Sequence, residues 1–174
     1  SGNAAAEAKC AAVWALTAID GDSAREAVRR GLRDSLPGVR QAAARSAGLH
    51  RDWYAQSLLT SRVTSDTPSV RREAATALGR IGQNTATAAL LEGLNFESDR
   101  FLEHALIFAL IRIGNNEGLY RAIVTGSPQV KRGALIALDQ MGDRKLTPER
   151  VMPLLASGDP TVRKTALWVI SHHA

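Results

Sequence analysis

Apolar residues in this chain recur at the spacing of one helix face, and the pattern restarts about every 31 residues. In Val70, Ala74, Ala75, Leu78 and Ile81 they stand at 0, +4, +5, +8 and +11 from an anchor. That is one stripe of a helix with 3.6 residues per turn. Three stretches align without gaps: DTPSVRREAATALGRIG from Asp66, SDRFLEHALIFALIRIG from Ser98 and SPQVKRGALIALDQMG from Ser127. SLPGVRQAAARSAGLH from Ser35 and DPTVRKTALWVISHH from Asp159 keep the same register. The anchors Val39, Val70, Leu102, Val130 and Val162 are 31, 32, 28 and 32 residues apart. A further step of 31 back from Val39 reaches Ala8, where AKCAAVWALTAI fits as a sixth copy.

Start and stop signals frame each copy. Pro37, Pro68, Pro128 and Pro160 stand two residues before an anchor, where a missing N–H costs a helix nothing. Thr67, Ser127 and Asp159 precede three of these prolines, with Asp99 in the equivalent place before Arg100; such side chains can accept from the free N–H groups of a first turn. Leu36 breaks that pattern, so the second copy is capped by Ser35 or capped less well. Gly82, Gly114 and Gly142 close three copies, as left-handed C-terminal residues do.

A shorter helix is expected between successive anchored ones, over Ser23–Asp34, Asp52–Thr64, Thr85–Asn95, Asn116–Thr125 and Thr147–Ala156. Each carries an apolar residue seven or eight before the next anchor: Leu32, Val63, Leu94, Ile123 and Leu155. Thr147-Pro148-Glu149 repeats the cap-then-proline start. A pair of such helices cannot bury its apolar faces alone, whereas pairs stacked in series share one continuous core. The fold class read from the pattern is all-α, an α-solenoid or superhelix of about six helix-pair repeats with eleven helices.

The phrase D-x-P-x-V-R-x-x-A-x-x-A-L-G-x-I-G at Asp66–Gly82 resembles the short HEAT-like repeat of phycobilin lyases and many bacterial proteins. The resemblance runs over nearly the whole chain and speaks to fold, because this solenoid hosts unrelated activities. It implies a single HEAT-like repeat domain over residues 3–174, with anchored helices near 4–20, 36–50, 67–82, 99–114, 128–142 and 160–173. Residues 1–2 have the look of a tag remnant, which implies a piece excised from a larger protein. A narrower resemblance rests on HALIFALIRIG from His104, KRGALIALDQMG from Lys131 and LTPERVMPLLASGDPTVRKTALWVISHH from Leu146. These are similar to the helical-repeat region of large exported planctomycete-type proteins, which resemble membrane-bound sugar dehydrogenases. In those, a β-propeller precedes the repeats and a cytochrome c domain with a CxxCH site follows. The resemblance implies an exported or periplasmic setting and a connector role. It transfers no catalytic residue, since Cys10 is followed by Ala11, Ala12 and Val13 rather than by a haem-attachment motif.

Composition adds little to the fold and more to the chemistry. The chain is 45% hydrophobic but only 5% aromatic, which suits close helix packing through Ala. No run approaches the roughly 18 apolar residues of a membrane span. Basic residues outnumber acidic ones by 22 to 17, giving a formal charge of +5; this fits either an anionic partner or ordinary solubility. The single Cys10 excludes an internal disulfide and reads as a buried, inert thiol.

Nothing in the pattern carries catalysis. His50 falls at a stripe position and reads as a helix-end residue, His104 as a surface residue. His172 and His173 are adjacent, so they diverge by about 100° on a helix. No metal, cofactor or haem is expected in this segment, and no enzymatic activity.

The feature that asks for a function is a pair of basic rows. At +1 from the anchors stand Lys9, Arg40, Arg71, Lys131 and Arg163, interrupted by Glu103; at +2 stand Arg72, Arg132 and Lys164. Equivalent positions in a solenoid line up along one ridge. The +1 row reads as a structural ladder in which each cation bonds an acid or carbonyl at an inter-repeat turn. The +2 row leaves two readings open, a ladder or an anion-binding track. A second cluster, Arg25, Arg29 and Arg33 with Arg30 beside them, sets like charges on one helix face. It points to an acidic neighbour or to a solvated surface. Trp14 and Trp168 share position +6 in the first and last anchored helices and are expected to leave apolar surface at the ends. Trp53 and Tyr54 read as core residues at the start of a short helix.

The function expected is therefore a non-catalytic protein-interaction or inter-domain scaffold, partnered by another protein or by neighbouring domains of one parent chain. The alternative is nucleic-acid binding in the manner of HEAT-like alkylpurine DNA glycosylases, although no aromatic-plus-acid pocket for a flipped base is evident. A chromophore-chaperone role of lyase type has only the repeat similarity behind it.

Overall fold

The computed structural model describes residues 2–96, 99–142 and 146–173, with side chains from 4 to 171 within those spans. Eleven α-helices follow one another: α1 Gly2–Thr17, α2 Asp22–Gly31, α3 Pro37–Leu49, α4 Gln56–Thr64, α5 Pro68–Ile81, α6 Thr87–Gly93, α7 Arg100–Ile113, α8 Asn116–Thr125, α9 Pro128–Gln140, α10 Pro148–Leu155 and α11 Pro160–His173. Short 3₁₀ turns, Trp53–Ala55 and Asn84–Ala86, lead into α4 and α6. Among the described residues there is no strand, and no helix is long and apolar enough to cross a membrane.

The odd-numbered, anchored helices form one layer, each packed on the next, and the even-numbered helices form the other. The apolar stripe is buried between them: Val70, Ala74, Ala75 and Leu78 are fully enclosed, with Ile81 at the margin. From the connecting helices Leu32, Val63, Leu94 and Ile123 enter the same core, while in α10 it is Leu154 that is buried and Leu155 only half-buried. Ala8 departs from the other anchors in being exposed. Leu167 departs likewise at the other end. It is 60% exposed at a +5 position that Ala44, Ala75, Ile107 and Leu135 bury.

Small residues set the spacing within the anchored layer. A Cβ at Gly48 would lie 2.8 Å from Ala77 Cα, and one at Gly79 would lie 2.8 Å from Ala109 Cα. The backbones of α3, α5 and α7 therefore touch without intervening side chains. The connecting helices meet one another chiefly through α4 and α6. The exposed, outer face of the anchored helices is the one turned away from the connecting layer.

The helix ends show which local signals operate. Asp99 accepts from the N–H groups of Phe101 and Leu102, Ser127 from Val130, and Asp159 from Thr161 and Val162. Thr67, Leu36 and Thr147 make no side-chain cap; the Thr67 hydroxyl meets Ser69 Oγ instead. Gly82, Gly114 and Gly142 have φ of 77°, 72° and 75°, the left-handed conformation that lets each helix stop and reverse.

Candidate interaction surface

The cations separate into those held by turns and those facing outwards from the anchored layer. At +1, Lys9 Nζ lies 2.7 Å from Asp34 Oδ2 of the next turn. Arg40 reaches Asp66 with two bonds, Nε to Oδ2 at 2.7 Å and Nη2 to Oδ1 at 2.6 Å, and donates through Nη1 to the carbonyls of Asp34 and Ser35. Arg71, a buried cation, donates to Val63 O at 2.8 Å and Gly93 O at 2.9 Å, binding the C-terminal ends of α4 and α6. Arg163 donates to Ser157 O at 2.6 Å. Among the described residues Lys131 makes no such bond: the carboxylate of the following turn, Asp159, accepts from the first N–H groups of α11 instead. Lys131 faces a hollow lined by Tyr120, Glu149 and Arg150.

These contacts shift the acids involved. Burial works to raise the Asp66 pKa. Hydrogen bonds from Arg40 and from Thr67 N–H, with the charges of Arg40 and Arg62, outweigh it and hold the carboxyl below the ordinary range. The hydrogen bond from Lys9 lowers Asp34 in the same sense. Burial alone pushes the Arg71 guanidinium down.

At +2 the three residues do not share one environment. Arg132 is paired with Glu103, the +1 acid of the preceding repeat. Lys164 is exposed, and Arg72 is half-buried on the outer face of α5. The Arg25–Arg33 cluster is largely satisfied from within: Arg25 donates to Leu16 O and Ile19 O at the end of α1. Arg29 pairs with Asp52 at 2.8 Å and lies over the Tyr54 ring, and Arg30 pairs with Glu26. Arg33, like Arg30, is exposed. An acid from outside is thus not needed to explain Arg29, because the chain's own Asp52 supplies one.

Other expectations change in the same way. Trp53 and Tyr54 are not core residues. They are 59% and 62% exposed with ring centroids 3.8 Å apart, since the 3₁₀ turn gives the buried place to Ala55. Cys10 is half-buried rather than enclosed. His50 caps the end of α3 and meets Thr17 O at 2.9 Å. His104 is exposed and stacks on Phe108. The His172 and His173 side chains lie outside the described residues, as do Ser1 and the Ser98 that opens the fourth repeat.

The arrangement that sequence reasoning missed is a hollow of about 500 Å³ across the outer faces of α3, α5 and α7. Arg45, Arg72, Arg80 and Glu73 line it together with Phe101, His104 and Phe108. Arg45 and Arg80 stand at +6 and +10, the same helix face as +2, so their signal lay in the register already read. None of the three arginines is within ion-pair distance of a carboxylate among the described residues.

The HEAT-repeat family model matches residues 31–111. No curated protein matches the chain in sequence. Among solved structures, the complex of CpcE and CpcF of phycocyanin lyase from Nostoc sp. PCC7120 is similar at 22% identity. Its TM-score is 0.61, with 91% of this chain and 68% of that one covered. Two engineered proteins are similar at 19% and 20% identity, each with a TM-score of 0.51, covering 98% and 95% of this chain and 92% and 88% of their own. At these identities the likeness is one of fold, and the fold is a HEAT-like helical solenoid.

Proposed function

We propose that this solenoid is a non-catalytic interaction module that receives a protein segment on the outer face of its anchored helices. One observation carries the reading. The +1 cations are largely tied to turns, whereas Arg45, Arg72 and Arg80 gather on one face beside exposed Phe101 and Phe108. Guanidinium groups and aromatic rings are the side chains enriched where protein interfaces hold their binding energy. A repeat array supplies the long, continuous face such binding uses.

The setting we propose is a larger exported redox protein, in which the solenoid spaces a propeller from a haem domain and itself holds no cofactor. The similarity of residues 98–173 to such connectors supports this. The partner is then a neighbouring domain or another protein. Nucleic acid is the weaker reading, because Glu103 neutralises Arg132 and Glu73 interrupts the basic face.

Selection of displayed peptides on the purified protein tests the interaction reading. Selected peptides should lose at least ten-fold in affinity to a Phe108→Ala, Arg72→Glu variant with unchanged helical content. If no selected peptide depends on this face, the reading fails.

A further inference from the structure

The hollow on α3, α5 and α7 is graded from charge to aromatic surface, and its grading specifies what fits it. Arg45 comes from α3, Arg72 and Arg80 from α5, and Phe101, His104 and Phe108 from α7. Phe101 and Phe108 are 57% and 51% exposed, and His104 stacks on Phe108 with ring planes 7° apart. Ala105 and Thr76 line it as well. Glu73 is the one carboxylate among the lining residues.

We infer that this hollow binds an extended acidic peptide segment whose carboxylates lie on the α3–α5 side and whose bulky apolar side chain lies on α7; this rests on the interaction reading above. Charge complementarity selects the carboxylates. Guanidinium forks bond carboxylates in two-point fashion, and among the described residues Arg45, Arg72 and Arg80 have no acid of their own to occupy them. Exposed phenylalanines selecting an apolar neighbour follow from area removed from water. Anchored helices stand roughly 8–10 Å apart, and an extended chain advances about 3.3 Å per residue. The apolar residue should therefore lie about three residues from the nearest acid, and the whole contact should span about six residues. A nucleic acid strand fits less well, since its phosphates continue past the arginines to Glu73, Glu103 and the aromatic wall.

The test is fluorescence anisotropy with labelled synthetic dodecamers that carry two acids and one Phe three residues away, made in both chain directions. The controls are a Lys-for-acid peptide, an all-acid peptide without Phe, and a short duplex DNA. Binding is expected for one direction of the acid–Phe peptide and should weaken at least ten-fold without the Phe. It should be absent for the Lys peptide. Arg45→Glu, Arg72→Glu and Arg80→Glu together should abolish it, and Phe108→Ala should weaken it about ten-fold, with helical content unchanged by circular dichroism. Equal binding of the all-acid peptide, tighter binding of the DNA, or binding that survives the triple reversal would each overturn the inference. If displayed-peptide selection instead returns basic or neutral sequences that depend on Phe108, the interaction reading stands and this inference alone falls.

Discussion

Arg40 and Asp66, 26 residues apart, meet face to face with two short bonds across the junction between the second and third repeats. The Asp66 side chain is 1% exposed and that of Arg40 is 13%, so the pair is shielded from solvent screening. Asp66→Asn should lower the unfolding free energy by about 3 kcal/mol, the loss that follows from leaving one partner of a buried pair uncompensated. Because Asp66 has a folded-state pKa below its unfolded value near ~3.9, its contribution is complete above that value. It disappears as pH falls through the folded pKa. Denaturant melts from pH 6 down to pH 2 should show acid destabilisation in the wild type and a shallower dependence in the variant. Identical slopes would show that the pair does not set acid stability.

Gly79 makes a prediction whose sign opposes helix propensity. At an exposed helix position, Gly to Ala stabilises by roughly 1 kcal/mol. Here the new methyl would meet the Ala109 backbone at 2.8 Å, and Gly79→Ala should destabilise by about 1–3 kcal/mol, the range for overpacking. Gly158→Ala, with nothing within 4 Å of the added carbon, should be neutral. Thermal melts of the two variants side by side decide the matter; a stabilised Gly79→Ala protein would mean that α5 and α7 stand further apart than described.

Arg71 holds two carbonyls that end successive connecting helices, so Arg71→Met should cost about 2–3 kcal/mol by orphaning buried acceptors. Arg71→Lys should rescue little, because one ammonium cannot reproduce a planar fork reaching both oxygens. Full recovery by lysine in urea titration would reduce the residue to a charge.

For the +2 row, duplex DNA titrations should give no better than about 10⁻⁴–10⁻⁶ M at physiological salt, the non-specific level. Reversing Arg72, Arg132 and Lys164 should scarcely alter that affinity. Submicromolar binding with a log–log salt slope of roughly −2 to −3, removed by the triple reversal, would restore the nucleic-acid track.

The repeating stripe was legible because helix periodicity and proline placement are local properties, and the anchored helices begin at Pro37, Pro68, Pro128 and Pro160. Partnering was not. That Glu103 would take Arg132 and Asp52 would take Arg29 depends on distances across 29 and 23 residues that only stacking fixes. Trp53 and Tyr54 look like core by residue type, and a 3₁₀ turn ahead of α4 turns them outwards. The hollow was half legible: Arg72 was singled out at +2, while Arg45 and Arg80 follow from carrying the same face through +6 and +10.

Because each helix pair packs mainly on its neighbours, opening costs least where a helix buries least. α1 places only Val13 in the core among its described residues, whereas α5 and α7 contribute Leu78, Leu106 and Leu110 at 0–1% exposure. Backbone amides should therefore exchange with deuterated water faster in α1 than in the central helices. The hollow is built on those slow central helices, so its walls hold their shape while α1 opens.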